Sequence, residues 1–479
     1  MQYTFPEDVR RRQSRQRRRR LLLCLVGCAV LLAVGFVCGR LAGPGSLEDR
    51  RTFETVWRVM NENWYWGSEH EDLSGYLMDS AIKGLAEHSE DPFTSYFTPA
   101  QADSFYGSLD RAYTGYGIQY LADWQGRVFV VKVYDGSSAE KQGLRPGDQL
   151  ISVDGTALTG LSSADLSAAF PTGEGAQAVF VYEREGRQYT ATLTSEAVDA
   201  SATHRVEDGV GILTLSSFTL TSGDAVRQRL EDLKAQGCDR LILDLRGNGG
   251  GYTSALLKIA GCLLEPDTVV YKEQYRDGTE REHRTAQDAE PLSFEKIVIL
   301  TDGDTASCSE VLTAALKEHL GAVVVGETTY GKGVTQSSVS LPNGSTLKYT
   351  ISKWLSPSGQ SIHGQGIAPD IEVRRHAIFT TMLSSIPEDL SVRPDTVDST
   401  AKAAQTALDY LGYGVDRTDG YFSAASSEAL RQFQQDAGLP EDGVLNAQSM
   451  KALVSSVQLH WYLSDDDAAM RQALEAAKQ

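Results

Sequence analysis

Apolar and polar positions follow several different rhythms along the chain, and each predicts a different kind of element. From Leu21 to Gly39 the run LLLCLVGCAVLLAVGFVCG carries no charge over 19 positions, a helix of about 28 Å that matches a hydrocarbon core. Residues 47–110 place apolar side chains at three- and four-residue steps, in FETVWRVMNENWYW and YLMDSAIKGLAEH, and predict helices that need another surface to bury one face. Over 114–197 the texture changes to short β-branched runs such as RVFVVKVY and QAVFVYEREGRQYTATL between glycine and proline turns, which predicts a mostly β domain. Over 198–375 strands (VGILTLSSF, LILDLR, KIVILTD) alternate with helices (DAVRQRLEDLKAQG, TSALLKIAGCLL), the pattern of an α/β core. Residues 376–400, with Pro387 and Pro394 among polar neighbours, read as a linker. In 401–457 a 23-residue repeat appears: Asp419-Gly420 recurs at Asp442-Gly443, Phe422 at Leu445, Ser426 at Ser449 and Ala429-Leu430 at Ala452-Leu453. Two stacked helix-turn units would produce it, and 458–479 is left as a tail.

Charge changes the picture at the N-terminus. Nine basic residues, including Arg17 to Arg20, lie in the first 40 positions against Glu7 and Asp8, although the whole chain of 479 residues stands at −19. Arginines ahead of an apolar span keep residues 1–20 in the cytoplasm and send the acidic remainder across the membrane. The rival, a cleaved signal peptide, has a shorter apolar core and a small-x-small site that does not follow closely here. Cys38 as a lipid attachment site is disfavoured by bulky Val37 before it. The acidic balance argues against a nucleic-acid-binding face. Cys24, Cys28 and Cys38 sit in the apolar run and only Cys238, Cys262 and Cys308 elsewhere, so neither a disulfide scaffold nor a paired-cysteine zinc site is expected.

Three segments of the α/β region could carry chemistry. After KIVILTD the chain turns and opens a helix at Thr305, Ser307 or Ser309, where unpaired N–H groups favour developing negative charge. A plain N-cap is the alternative, and position alone does not choose among the three. Lys332 lies between Gly331 and Gly333, a setting in which partial burial would let its neutral amine act as a base. The alternative is a solvated lysine, and GxxxxGK[ST] is not satisfied because Gly333 follows Lys332. Asp244 to Gly251, DLRGNGGG, follows a strand, and its glycines permit amides to converge on an anion or form a flexible loop. A histidine base fares worse, since His319 lies 12 residues beyond Ser307, about 18 Å along the helix, and His363 is the other candidate.

Together, DLRGNGGG, Ser307-Cys308-Ser309-Glu310, Gly331 to Gln336 and the stretch from Pro357-Ser358-Gly359 to Gly366-Ile367-Ala368-Pro369-Asp370 resemble, in order and spacing, the carboxy-terminal processing peptidases, or tail-specific serine proteases. The resemblance implies a serine–lysine dyad: Ser307 as nucleophile, Lys332 as general base and Gln336 as the residue that positions it. It implies oxyanion donors at Gly250 and the Cys308 amide, with Gly251 a neighbour, and requires no metal or cofactor. Cys308 stands where the family has alanine, and Gly247-Asn248-Gly249 where it has Asn-Asn-Pro. Glu318, where some relatives have aspartate, is expected to be structural.

Thr114 to Tyr120 with GLRPGDQLISVDG resembles a PDZ domain, which implies a carboxylate loop at Gly115, Tyr116, Gly117 and Ile118. Tyr116 and Ile118 are expected to line the side-chain pocket, and Arg145 either senses the bound peptide or solubilises its turn. The tail repeat, with Leu430-Arg431-Gln432-Phe433-Gln434, resembles the small peptidoglycan-binding domain. The expected architecture is therefore a multidomain α/β chain: a transmembrane anchor (21–39), a helical segment, a PDZ domain, a protease core and a small all-α domain. The expected function is an anchored, extracytoplasmic serine endopeptidase of the bacterial envelope. Its expected partners are protein or peptide C-termini and peptidoglycan, an oligomer is compatible, and the alternative is an inactive scaffold tethered by its PDZ and tail domains.

Overall fold

The structure, a computed structural model, describes residues 47–109, 112–381, 385–464 and 467–479. The proposed cytoplasmic tail and anchor, residues 1–20 and 21–39, lie outside the described residues. Among the described residues no helix is long and apolar enough to cross a membrane. The chain divides into two compact units, to Tyr96 and from Phe97 onward.

In the first unit α1 (Leu47–Asn63) and α2 (Leu73–Ala86) form as their spacing predicts. Asp72 caps α2 by accepting from the Gly75 amide at 2.9 Å, and His70 stacks on Tyr76 with ring centroids 4.0 Å apart. Phe53, Val56, Val59 and Leu85 remain exposed. The third helix of the predicted helical segment, α3 (Pro99–Leu109), belongs to the second unit.

The β-rich domain is an antiparallel sheet of β1 (Ile118–Ala122), β2 (Val128–Val133), β3 (Gln149–Val153), β4 (Gln177–Arg184) and β5 (Arg187–Thr194), in that spatial order. Strand β1 is therefore an edge. The short helix α4 (Ser163–Ala168) closes the core through Leu166, beside Leu150, Leu158, Phe180 and Leu193.

The α/β region contains β6 (Ala202–Glu207), β7 (Val210–Leu215), α5 (Ser222–Ala235), β8 (Arg240–Asp244), α6 (Thr253–Ala260), β9 (Val269–Tyr275), β10 (Glu280–Arg284), β11 (Lys296–Thr301), α7 (Cys308–Leu320), β12 (Val323–Gly326), β13 (Val334–Ser340), β14 (Thr346–Leu355) and β15 (Ile371–Glu372). One sheet has the order β6-β7-β8-β11-β12-β15, parallel except for the β6–β7 hairpin. Its inner strands β7, β8, β11 and β12 are nearly continuous apolar runs because both faces are covered. Leu213, Leu215, Leu241, Leu243 and Ile299 meet α5, α6 and α7 on one face. A second, antiparallel sheet pairs β14 with β9 and with β13, and β9 with β10.

The C-terminal region corrects three expectations. Helices α8 (Ser399–Tyr410), α9 (Ala424–Asp436) and α10 (Ala447–Leu463) build the small domain. It is not purely helical, since Ser391–Val392 pairs with Leu445–Asn446 and Thr396–Val397 with Tyr421–Phe422. The segment read as a linker thus supplies strands, and its Ile378 and Val392 enter the domain's core; prolines break helices but leave edge pairing available. The segment read as a tail extends α10 to Leu463 and then forms α11 (Ala468–Lys478). Met470, Ala473, Leu474 and Ala477 of α11 cover the other face of the parallel sheet, against Val210, Ile212, Ile242, Val298, Leu300 and Val325. The repeat itself is built: Gln405 Oε1 accepts from Gly420 N while its Nε2 donates to Tyr421 O, and Gln434 does the same for Gly443 N and Val444 O.

Candidate active site

Three loops leave the carboxyl ends of the adjacent parallel strands β8, β11 and β12, the position where α/β sheets place their sites. The glycine loop 245–251 follows β8, the turn 302–306 leads from β11 to Ser307, and 327–333 follows β12. Two buried polar residues, Asp302 through its side chain and Asn248 through its backbone carbonyl, fasten the first two loops together. Asp302 accepts from the Gly247 amide at 3.0 Å and the Thr305 hydroxyl at 3.1 Å, and Arg375 donates to it at 3.2 Å. Asn248 donates to Leu215 O at 2.7 Å, and its carbonyl accepts from Ala306 N at 3.0 Å and Ser309 Oγ at 2.9 Å.

This framework separates the three candidate hydroxyls. Thr305 and Ser309 are fully buried, and their hydroxyls donate to Leu245 O and Asn248 O. Ser307 is only partly buried and lines a cavity of about 450 Å³. Its backbone has φ 58° and ψ −120°, a conformation costing about 1–3 kcal/mol for a residue with a Cβ. The strain is held because the Ser307 amide donates to Glu310 Oε2 at 2.9 Å.

Glu310 is the hub. It is fully buried, and its Oε1 accepts from Thr329 Oγ1 at 2.5 Å and Gly331 N at 2.7 Å, while Oε2 accepts from Lys332 N at 2.9 Å as well as from Ser307. One carboxylate therefore joins the serine's backbone to the lysine's. Burial pushes its carboxyl above the usual range, opposed by these four donors. Trp354 Nε1 donates to Lys332 O at 2.8 Å and backs the loop from the second sheet. Lys332 lines the same cavity as Ser307, and its amine is pushed below the ordinary lysine value, first by burial and then by the charge of Lys348.

The other predicted site residues fall into place unequally. Gly250 lines the cavity with φ 100°, and a Cβ there would lie 2.8 Å from Ser307 Cβ. Its amide, however, donates to Asn248 Oδ1 at 2.9 Å. The Cys308 amide stands in the first turn of α7, where helical N–H groups have no intrahelical acceptor. The Cys308 thiol donates to Gly251 O at 3.3 Å and is pushed up to about 11 by burial, so it is no thiolate at neutral pH. Gln336 lines the cavity, but its amide donates to Val334 O at 3.4 Å. Glu318 accepts from Ser358 N and Oγ at 2.7 and 2.9 Å, fixing the Pro357-Ser358-Gly359 turn. His319 is bonded to Val269 O at 2.8 Å, and no histidine lines this cavity among the described residues. Among the described residues no cluster has the donors for a metal ion.

In the β-rich domain Gly117 has φ 84°, and a Cβ there would lie 2.0 Å from Ser137 Cβ, so the loop requires glycine. Gly115 ends the strand Ala112–Gly115, and Ile118 begins β1 half-buried. Tyr116 belongs to the domain core: it packs on Phe180 with ring centroids 4.9 Å apart, and its hydroxyl donates to Pro171 O at 3.0 Å. Tyr120 on β1 stacks on Phe170, ring centroids 4.8 Å apart. Arg145 is exposed, and the turn it occupies is organised by Arg184, whose Nε and Nη2 hold the buried Asp148 carboxylate at 2.6 and 2.7 Å.

Residues 209–373 match the model of peptidase family S41, residues 129–184 a PDZ domain and residues 398–453 a putative peptidoglycan binding domain. The chain is thus similar, over its α/β region, to peptidase family S41. It is similar to carboxy-terminal processing proteases CtpA and CtpB of Bacillus subtilis (strain 168), at 29% identity to each. The CtpA match covers 84% of this chain and 85% of the relative, and the CtpB match 84% of each. A probable CtpA-like serine protease of Staphylococcus haemolyticus (strain JCSC1435) is 27% identical, over 88% of this chain and 86% of that one.

Several elements of this site escaped the sequence. Glu310 was visible as part of a motif, but its partners were not. Asn248 likewise was visible only as a motif position, and Asp302, Tyr271 and Lys348 carried no signal of a role in the site, though Tyr271 and Lys348 also line the cavity. The glycine at 250 was the one clue that two backbones pass within van der Waals contact there.

Proposed function

We propose that the protein is a serine endopeptidase working through a Ser307–Lys332 dyad. The observation that carries the reading is that both residues line one cavity and their backbones are tied to the same Glu310 carboxylate. The neutral Lys332 amine takes the Ser307 proton as Oγ bonds to the substrate carbonyl carbon. Collapse breaks the C–N bond, the lysine returns the proton to the leaving amine, and an acyl-enzyme remains. Water, deprotonated by the same amine, then releases the acid and restores Ser307. The Cys308 amide donates to the oxyanion, and the Gly250 amide joins it after leaving Asn248 Oδ1. Gln336 positions Lys332 once its amide turns from Val334 O. The apolar wall of Leu256, Tyr271, Val311 and Trp354 excludes water and receives an apolar substrate side chain.

In this reading the edge strand β1 captures a substrate C-terminus by strand addition, with the amides of 115–118 receiving the carboxylate. Residues 21–39 anchor the chain with its catalytic part outside the cytoplasm, and the C-terminal domain engages peptidoglycan. The test is degradation of an unfolded protein by the full chain in detergent, beside Ser307→Ala and Lys332→Ala. Cleavage by the parent and by neither variant supports the dyad. Cleavage that survives Ser307→Ala sinks it, and silence of the parent across varied C-terminal residues favours the scaffold.

A further inference from the structure

The active-site cavity contains two lysines. Lys332 enters from the loop after β12, and Lys348 from β14, where it stands opposite Ser338 of β13. Their surroundings differ. The Lys348 ammonium lies 4.6 Å from the ring centre of Phe105 and 5.5 Å from that of Phe97. Those two rings stack with centroids 5.0 Å apart, and their faces favour a cation. Helix α3, which carries Phe105, is fastened beside them because the Tyr106 hydroxyl bonds Ser338 Oγ. Lys332 instead is set among buried groups, with the apolar wall on one side and the Glu310 hub beneath.

We propose that Lys348 is a positioning residue of the reaction, a cation pinned on the Phe97–Phe105 pair that keeps Lys332 in its neutral, proton-accepting form. The proposal rests on the dyad reading above. It assigns opposite protonation states to two chemically identical side chains in one cavity. The other titratable groups facing Lys332 are Glu310 and Cys308 from α7, Tyr271 from β9, Tyr252 from the glycine loop and Tyr106 from α3. Of these, Glu310 works in the opposite direction, favouring the ammonium, and its charge is already shared among four donors. The neutral Cys308 thiol adds no negative charge, and burial raises the Tyr271 hydroxyl well above its ordinary value. Lys348 is thus the positive charge in the cavity that opposes protonation of Lys332, in line with the lowered position of its amine. A lysine made basic enough to react but neutral at working pH by a second cation is a known route to amine activation.

The test is competitive acetylation of the full chain carrying Ser307→Ala with acetic anhydride across a pH series. Labelling of Lys332 is read by mass spectrometry against exposed Lys451. Lys348→Met should raise the labelling midpoint of Lys332 by on the order of one pH unit, and Lys348→Arg should leave it in place. Phe105→Leu, which keeps the lysine and removes a ring, should raise it by less, and it serves if Lys348→Met does not fold. In the catalytically intact chain the acid limb of kcat/KM should move up with the same order of variants. An unchanged or lowered midpoint in Lys348→Met, or a kcat/KM that falls equally at every pH, overturns the proposal. Full cleavage by Lys332→Ala would instead remove the dyad reading itself, so the two failures are distinguishable.

Discussion

The α/β core and the C-terminal domain solve the same problem with different chemistry. Each must hold tight loops against a helix, and each does so with fully buried polar side chains, Glu310 in the core and Gln405 and Gln434 in the C-terminal domain. In the core Glu310 accepts four hydrogen bonds and donates none. In the C-terminal domain Gln405 and Gln434 each accept one amide and donate to a carbonyl and a serine hydroxyl, and Gln434 also donates to the Asp442 carboxylate at 2.9 Å. A neutral amide suffices where loops need only be spliced, because it matches a donor and an acceptor without burying charge. A carboxylate is acceptor-only, so it gathers N–H groups from several loops and leaves a negative charge beneath a lysine. Its burial is unfavourable, and the molecule carries that cost where backbone strain at Ser307 and the seating of Lys332 must be set together.

Exchanging the chemistry of the two hubs would test that contrast most strongly. Glu310→Gln points N–H groups at donors, and proteolysis per folded molecule should fall at least about 100-fold, with a loss of about 1–3 kcal/mol in stability for each stranded group. Gln434→Glu strands Val444 O and adds a buried charge. It should lower stability by a similar amount, measured by denaturant unfolding, yet leave kcat/KM per folded molecule within about threefold. Equal losses of activity in the two variants would break the comparison. Gly250→Ala comes next: its Cβ would sit 2.8 Å from Ser307 Cβ at a φ of 100°, so kcat per folded molecule should drop about 100-fold, as expected for a displaced nucleophile, and the unfolding midpoint should fall as well.

The pH dependence sharpens the account further. Because the amine of Lys332 is held below the ordinary lysine value, kcat/KM should rise with pH along a limb whose apparent pKa lies below about 10.4. The same shift disfavours protonation in the fold, so its contribution to stability is adverse below the folded pKa and relaxes as pH rises toward the unfolded one. The smallest effect is expected from Cys308→Ala. Its buried thiol is neutral at working pH, so kcat/KM should change within about threefold and iodoacetamide should leave the parent active.

Much of this was legible before the structure. The apolar rhythms gave the β-rich and α/β regions, and the motif resemblance, not residue type alone, singled out Ser307, Lys332 and Gly250, which all line one cavity. What was hidden depends on partners distant in sequence. Asp302 reaches Gly247 across 55 residues and Glu310 reaches Lys332 across 22, and no local pattern encodes such a contact. Lys348 lies in a strand whose alternation reads as one solvated face. Helix α11 read as a tail because its buried face is mostly alanine, which contributes little hydrophobicity yet lets a helix approach a sheet closely. Tyr116 was expected in the peptide pocket but lies in the core, because an aromatic beside a glycine loop serves either place and only packing decides.

The central claim, a Ser307 activated by Lys332, is tested most directly by a fluorophosphonate probe on the full chain, with the labelled residue located by peptide mapping. The account predicts a single adduct on Ser307, abolished by Ser307→Ala and slowed at least about 100-fold by Lys332→Ala. Labelling of Ser307 at an undiminished rate in Lys332→Ala, or an adduct on another residue, would contradict it.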